Sequence, residues 1–268
     1  MSTTIQRILL CPPEHFEIKY EINPWMDTSV KVNKEKAYEE HNTLKAVYTS
    51  LNMPYSELTP DPELPDQVFA TDVGHAEGKS FIKANFKYKE RRHEADIAEA
   101  YFKAQGYTIH TLPEKMWFEG GDFLKIGDKY FYGWGKRSSL ETIPHIEKVL
   151  KTKIIPIELP DPYFYHLDTC FSPLSEDIAL VHGGAFTPEG LRTIQKHFKT
   201  IISTAGEDNA QIACNFVPIG KNIVISEGVS HFLKNVLRHL GFIVHPVPMT
   251  EYIKGGGSIH CLSLEIWR

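Results

Sequence analysis

Cysteine is scarce in this sequence, and what there is does not cluster. Cys11, Cys170, Cys214 and Cys261 are the four cysteines among 268 residues, and no two of them form a CxxC. This excludes the usual zinc knuckle and the thioredoxin-type motif, and in a reducing compartment it predicts free thiols. For Cys11, Cys170 and Cys214 the expectation is a small buried apolar side chain. Long apolar runs are missing too, so no membrane partner is expected. The N-terminal MSTTIQRILLCPPE has neither the apolar stretch nor the small-residue cleavage site of a signal peptide. The expected location is cytoplasmic. A formal net charge of -5 with dispersed lysines and arginines gives no basic stripe, which argues against a nucleic-acid partner. No Ser/Gly-rich linker, charge block or low-complexity tract divides the chain, so residues 1–268 are expected to form a single domain.

What is present is a unit that recurs. SFIKANF, RRHEADIAEAYFKAQ and YTIHTL read as a strand, an amphipathic helix and a second strand. The same order returns in DKYFYGWG, SLETIPHIEKVLK and IIPIEL, in DIALVHG, PEGLRTIQKHF and TIIS, and in NIVISEG, HFLKNVLRHL and FIVHPV. Gly106 and Gly241 stand at helix stops and Pro188 in a first turn. First strands begin at Ser80, Tyr130, Ile178 and Ile223, roughly fifty residues apart, a spacing found in propellers and arrays. A fifth copy can be drawn from IQRILLC, a helix over 34–51 and a return strand near Val68. Each unit has a short leading segment: QVFATDVGH, WFEGGDFLK, YHLDTCFSP, CNFVPIG and, for the N-terminal unit, SIHCLSLEI from the far end of the sequence. The pattern predicts an α/β ring in which that last segment completes the first blade and covers its edge.

In such a ring, equivalent positions meet near the axis. Asp72, Glu119, His166 with Asp168, and Cys261 lie in four of the five leading segments. Taken singly they are ordinary: EGGD, with Glu119 and Asp122, and ATDVG read as solvated turns, His166 as a core histidine, and GGG as a flexible loop. The glycines make a poor phosphate cradle without the lysine of a P-loop or dinucleotide-type spacing. Taken together they describe chemistry. A thiol with a histidine in reach is a nucleophile with its acid–base partner, and the surrounding carboxylates suit a planar guanidinium better than a protease oxyanion, which needs donors. A metal centre is the competing reading, since all these side chains are ligands. The dispersed set with one sulfur favours neither metal nor cofactor.

LPDQVFATD, EGGD, HLDT and GGGSIHC, in that order, with CPPEHFEIKYEINPWM near the start, resemble the guanidino-group-modifying enzymes. These are arginine deiminases, amidinotransferases, dimethylarginine dimethylaminohydrolases and, in the N-terminal and FKYKER stretches above all, arginine dihydrolases. The resemblance spans essentially the whole chain. It implies a pentein fold, a fivefold pseudosymmetric α/β propeller. It also implies that Cys261 is the nucleophile, His166 the general acid and base, and Glu119 the carboxylate that holds the guanidino nitrogens. Asp72 and Asp168 would be further guanidinium ligands. Asn23, Arg91 (or its neighbour Arg92) and Arg137 would grip the amino and carboxylate groups of an amino-acid substrate. The implied partner is a small guanidino compound, with a homo-oligomer left open.

The resemblance implies hydrolysis through a covalent Cys261 intermediate to a ureido product, citrulline if the substrate is arginine. The carboxylates of the empty site oppose a thiolate and a bound cation favours it, so substrate is expected to help ionise Cys261. Gly255, Gly256 and Gly257 are expected to allow close backbone approach, and a mobile cysteine-bearing segment is a second option. One departure stands out. Arginine dihydrolases typically read FTANAG where this chain reads FATDVG, and the asparagine replaced by Asp72 is associated with hydrolysis beyond citrulline to ornithine, ammonia and carbon dioxide. Asp72 therefore favours a single hydrolysis. Thr71 argues against the dimethylarginine hydrolases, which often carry a second acid there. Amidino transfer to an amine, and a binding-only pentein that would not need these groups aligned, remain the other readings.

Overall fold

The computed structural model describes residues 4–204 and 206–268. Five strand–helix–strand units follow one another along it. The first is β1 (Ile5–Leu10), α1 (Lys34–Ser50) and β2 (Tyr55–Glu57). The second is β3 (Gly74–Glu77), β4 (Ser80–Lys83), α2 (Arg92–Ala104) and β5 (Thr108–His110). The third is β6 (Phe123–Ile126), β7 (Lys129–Trp134), α3 (Ile143–Leu150) and β8 (Ile154–Glu158), and the fourth is β9 (Phe171–Pro173), β10 (Ile178–Val181), α4 (Pro188–His197) and β11 (Thr200–Ser203). After the short α5 (Gly206–Asn209) comes the fifth, β12 (Val217–Ile219), β13 (Asn222–Ser226), α6 (His231–His239) and β14 (Ile243–Val247). The short helices α7 (Thr250–Ile253) and α8 (Ile259–Leu262) then lead into β15 (Leu264–Trp267).

Each blade has the same plan. The leading strand pairs antiparallel with the central strand, and the central strand pairs parallel with the return strand across the helical crossover, as in β6–β7–β8 and β12–β13–β14. The first blade borrows its leading strand: β15 pairs antiparallel with β1, Leu9 opposite Leu264 and Ile8 opposite Glu265. β15 also runs parallel to β3, which joins the first two blades in one six-stranded sheet of order β2-β1-β15-β3-β4-β5. The expected ring closure is present, with the last strand completing the first blade.

One element differs from the sequence reading. The return strand of the first blade is β2, not a strand near Val68. Asn52 takes a left-handed backbone (φ 53°) just past α1, and the chain turns at once to lay β2 on β1. The stretch beyond holds Pro60, Pro62 and Pro65, which withhold ladder N–H groups, so Pro65–Val68 is a 3-10 turn.

Apolar packing follows the fivefold plan. Five buried clusters fill the five seams between neighbouring blades, and each long helix contributes to one: Leu44 and Tyr48 of α1, Ala98 and Phe102 of α2, Ile146 of α3, Ile194 of α4, Leu233 and Leu237 of α6. Each helix thus seals a seam with its apolar face. Among the described residues no helix is long and apolar enough to cross a membrane.

Candidate active site

A one-turn helix precedes the leading strand in four blades, and these turns meet one another around the axis. They are Ala70–Val73, Gly120–Asp122, Leu167–Thr169 and α8. Asp72 and Asp168 lie inside such turns, Glu119 and His166 are the extended residues just before them, and Cys261 lies inside α8. A tight turn at the end of an extended strand aims its side chains inward with little freedom. All five side chains are fully buried, so EGGD and ATDVG are not solvated turns.

Cys261 Sγ accepts a hydrogen bond from Asn215 Nδ2 at 3.1 Å and stands 3.4 Å from Asp168 Oδ2. Asn215 is locked in place: its Oδ1 accepts the backbone N–H groups of Ser258 and Cys261 at 3.1 and 3.0 Å, so its Nδ2 is the end that faces sulfur, and it also donates to the Asp168 carbonyl at 3.3 Å. Burial, then the charges of Asp168 and Asp72, push the Cys261 thiol well above its ordinary pKa, and the Ser258 N–H and Asn215 only partly oppose them. At neutral pH the Cys261 thiol is therefore protonated.

His166 lies across the site and makes no hydrogen bond to Cys261. Its Nε2 is 3.0 Å from Glu119 Oε2, and its Nδ1 is 3.4 Å from Asp72 Oδ1. Burial acts to lower its pKa, but Asp72, Asp122 and Glu119 together outweigh burial and raise it to about 9. An imidazolium at neutral pH is a proton donor, not a second base. Burial would raise the Glu119 pKa, yet Arg137, His166 and Arg91 bring it down to about 2. Asp122, held by the Leu167 N–H at 3.0 Å, is raised to about 7, chiefly by burial.

Two arginines occupy this acidic ring. Arg91 Nη1 donates to Asp72 Oδ2 at 2.6 Å, while its Nε and Nη2 fork onto Glu94. Arg92 is exposed and turned to the Phe86 and Lys87 carbonyls, so Arg91 is the one that enters the site. Arg137 Nη1 donates to Glu119 Oε2 at 2.8 Å and its Nη2 to the Ile22 carbonyl at 2.9 Å, with the guanidinium over the Tyr88 and Tyr165 rings. Glu119 Oε1 and Asp168 Oδ1 are buried without a hydrogen-bond partner.

The cover over the site is built from distant segments. Asn23 accepts the Trp25 N–H and donates to the Gly255 carbonyl, Tyr165 donates to the Gly256 carbonyl, and Trp25 donates to the Tyr163 carbonyl and packs on its ring. The glycines answer to this closeness. Gly256 has φ +92° with Asn23 and Tyr165 about it, and a Cβ on Gly257 would lie 2.4 Å from the Phe69 ring. In EGGD, a Cβ on Gly121 would lie 2.7 Å from His166 Nδ1 and 2.8 Å from Asp72 Oδ1.

Comparison with known proteins agrees with this geometry. A family model described as N,N dimethylarginine dimethylhydrolase, eukaryotic, matches residues 12–268. The bifunctional arginine dihydrolase/ornithine cyclodeaminase ArgZ of Synechocystis sp. is 37% identical over 97% of this chain, and the chain covers only 37% of that protein's length. The N(G),N(G)-dimethylarginine dimethylaminohydrolase of Mycobacterium tuberculosis is 30% identical over 97% of this chain and 86% of its own. The crystal structure of the ArgZ N-terminal domain, described as a product-bound arginine dihydrolase of cyanobacteria, superposes with a TM-score of 0.94 at 35% identity, covering 98% of this chain and 97% of that one.

The chain belongs to the guanidino-group-modifying pentein superfamily.

For this pentein the sequence reading missed Asn215. It stands in CNFVPIG, the leading segment of the fifth blade, where no acid, histidine or cysteine flagged it, although the fivefold register marks it as the fifth inward position. Asp66 was also passed over. It is buried with Arg91 Nε at 4.0 Å, and burial raises its pKa. Donor atoms of Asp72, Glu119 and His166 lie within 4.8 Å of one another, close enough to share a cation. A protonated His166 and the two arginines already on those carboxylates make this pentein site fit a guanidinium better than a metal ion.

Proposed function

We propose that this chain hydrolyses a guanidino C–N bond of arginine or a close arginine derivative, with residues 1–268 acting as one catalytic domain. The observation that carries the reading is the pair of unpartnered, buried acceptors, Glu119 Oε1 and Asp168 Oδ1, beside a buried thiol and a protonated histidine. A guanidinium offers N–H donors in a fork to acceptors of this kind and offsets their charge as well, which a neutral donor does not. When substrate enters, its guanidinium takes over carboxylate contacts that Arg91 and Arg137 hold in the empty site. Those arginines, with Asn23, are then free to grip its carboxylate and amino groups.

The incoming positive charge offsets Asp72 and Asp168 and favours the Cys261 thiolate. The thiolate adds to the guanidinium carbon, His166 gives its proton to the departing nitrogen, and ammonia leaves, with a cationic amidino-thioether on Cys261. His166, now neutral, takes a proton from water as the oxygen adds to the same carbon. Collapse of the adduct expels the sulfur, the remaining hydroxyl proton restores the Cys261 thiol, and the neutral ureido product is released. Asp72 keeps the site negative and so favours release of neutral citrulline after one hydrolysis. A second reading, continued hydrolysis to ornithine, is favoured by the 37% identity to an arginine dihydrolase.

Incubation with arginine, measuring citrulline, ornithine and ammonia together against a Cys261→Ser blank, tests the proposal. Citrulline with matching ammonia supports it, and ornithine with doubled ammonia establishes the second reading. No turnover of arginine, methylated arginines or agmatine, with or without an amine acceptor, would refute both.

A further inference from the structure

The histidine beside the nucleophile has no part in the steps above, yet it is built into the site. His260 is buried, and its Nδ1 lies 2.8 Å from Asp168 Oδ2, the same oxygen that stands 3.4 Å from Cys261 Sγ. His260 also lines a small, half-open hollow of about 10 Å³ with His75, Thr71 and Glu265 among others, room for about one water. Glu265, on β15, is half-buried, with Oε1 shut off from solvent and without a hydrogen-bond partner. One imidazole thus sits on a carboxylate that touches the nucleophile, and it shares a hollow with a second acid that has an oxygen unpaired.

Resting on the reading that Cys261 is the nucleophile, we propose that His260 is a positioning residue for it. As an imidazolium on Asp168, it anchors the Oδ2 edge of that carboxylate, leaves Oδ1 to the substrate, and offsets the carboxylate charge that faces the thiol.

The charged and titratable groups around His260 make this a balance of named parts. Asp168 approaches from the fourth blade's turn, Asp72 from the second blade's turn, Glu265 from β15, His75 from β3, and Cys261 from α8 itself. His75 is tied to Glu77 at 3.1 Å, and Glu77 also holds Lys125 and Tyr130. Burial acts to lower the His260 pKa, but the Asp168 hydrogen bond and charge, with Glu265 and Asp72 behind them, raise it on balance. His260 gives up no proton in the cycle. Its effect on Cys261 passes through Asp168: with the imidazolium present, the carboxylate at 3.4 Å repels a thiolate less.

The test reads the thiol itself, on the whole protein and without substrate. The rate at which iodoacetamide alkylates Cys261, followed by the mass of its peptide, is proportional to the thiolate present at each pH below the thiol's midpoint. His260→Gln keeps a polar side chain of similar reach but carries no charge. It is expected to alkylate about tenfold more slowly than wild type at every such pH, equivalent to about one unit of pKa. An unchanged alkylation profile, even with activity lost, would mean a merely structural histidine and overturn the proposal. Should His260→Gln fail to fold, side-chain NMR of Cys261→Ser decides: an imidazolium persisting through neutral pH supports the proposal, and titration below about pH 6 overturns it. A wild type that turns over no guanidino compound, while its alkylation still depends on His260, would refute the functional reading and leave this one standing.

Discussion

In the proposed function a single charge at Asp72 sets the choice between one hydrolysis and two. Asp72→Asn removes the partner of Arg91 Nη1 and one negative group from beside His166. The expected outcome is a rise in ornithine and in ammonia released per arginine, read from the product ratio, and an unchanged ratio would remove Asp72 from the argument. Asn215→Ala takes away the donor that holds Cys261 Sγ. Hydrogen bonds to charged groups are worth roughly 1.5–3 kcal/mol, so kcat/KM and the Cys261 alkylation rate should each fall about tenfold to a hundredfold. In the proposed mechanism His166 acts first as an acid. Its folded pKa lies above the free value, so loss of its proton contributes a fall in kcat/KM as pH rises through about 9, set against the rise that ionisation of the Cys261 thiol contributes. Much of this residue scale was legible in the sequence: acids, a histidine and a cysteine stand out in strands that should be apolar. Asn215 was not, because an amide stands out only once its place in the ring is known. The pairing of Arg91 with Asp72 was hidden as well, since the 3-10 turn that points Arg91 inward and leaves Arg92 outside has no signature of its own.

The turns before the leading strands are the working elements, and their glycines are steric. Gly121→Ala would place a methyl within 2.8 Å of both His166 Nδ1 and Asp72 Oδ1. Such a contact must displace the acid–base group, so activity should fall by about two orders of magnitude with circular dichroism unchanged, in keeping with the penalty for ångström-scale misplacement of catalytic groups. The alternation of strands and the 3.6 period of the helices made the blades readable, down to α2 and its stop at Gly106. The first blade's return strand was misread because β2 has three residues, too few to show alternation, and hides between a helix end and a run of prolines.

At the scale of the whole molecule, the buried ring makes stability depend on pH. His166, Asp122 and Glu265 all have folded pKa values above their unfolded ones, at about 9, 7 and 7. The folded state therefore holds extra protons, and stability from these groups is complete below their unfolded pKa values and erodes as pH rises toward 9. Glu119 and Glu77, both lowered to about 2, contribute in the opposite sense, with stability complete above about 4.5 and lost at stronger acid. Melting temperature should peak at about pH 4–5 and decline from there to pH 9, and a flat profile would contradict the charge states assigned here. Ile266→Ala, in the seam between the first two blades, should cost roughly 2–5 kcal/mol in denaturant unfolding.

The strand that completes the first blade begins three residues after Cys261. On the ribosome this means that the edge of β1 waits, unpaired, while the other four blades emerge. A nascent chain at that stage already carries the acids, His166 and both arginines but no nucleophile. It can present a guanidinium pocket and perform no chemistry, and the thiol arrives only with the segment that shuts the ring. Synthesis order thereby keeps a reactive cysteine out of half-assembled molecules.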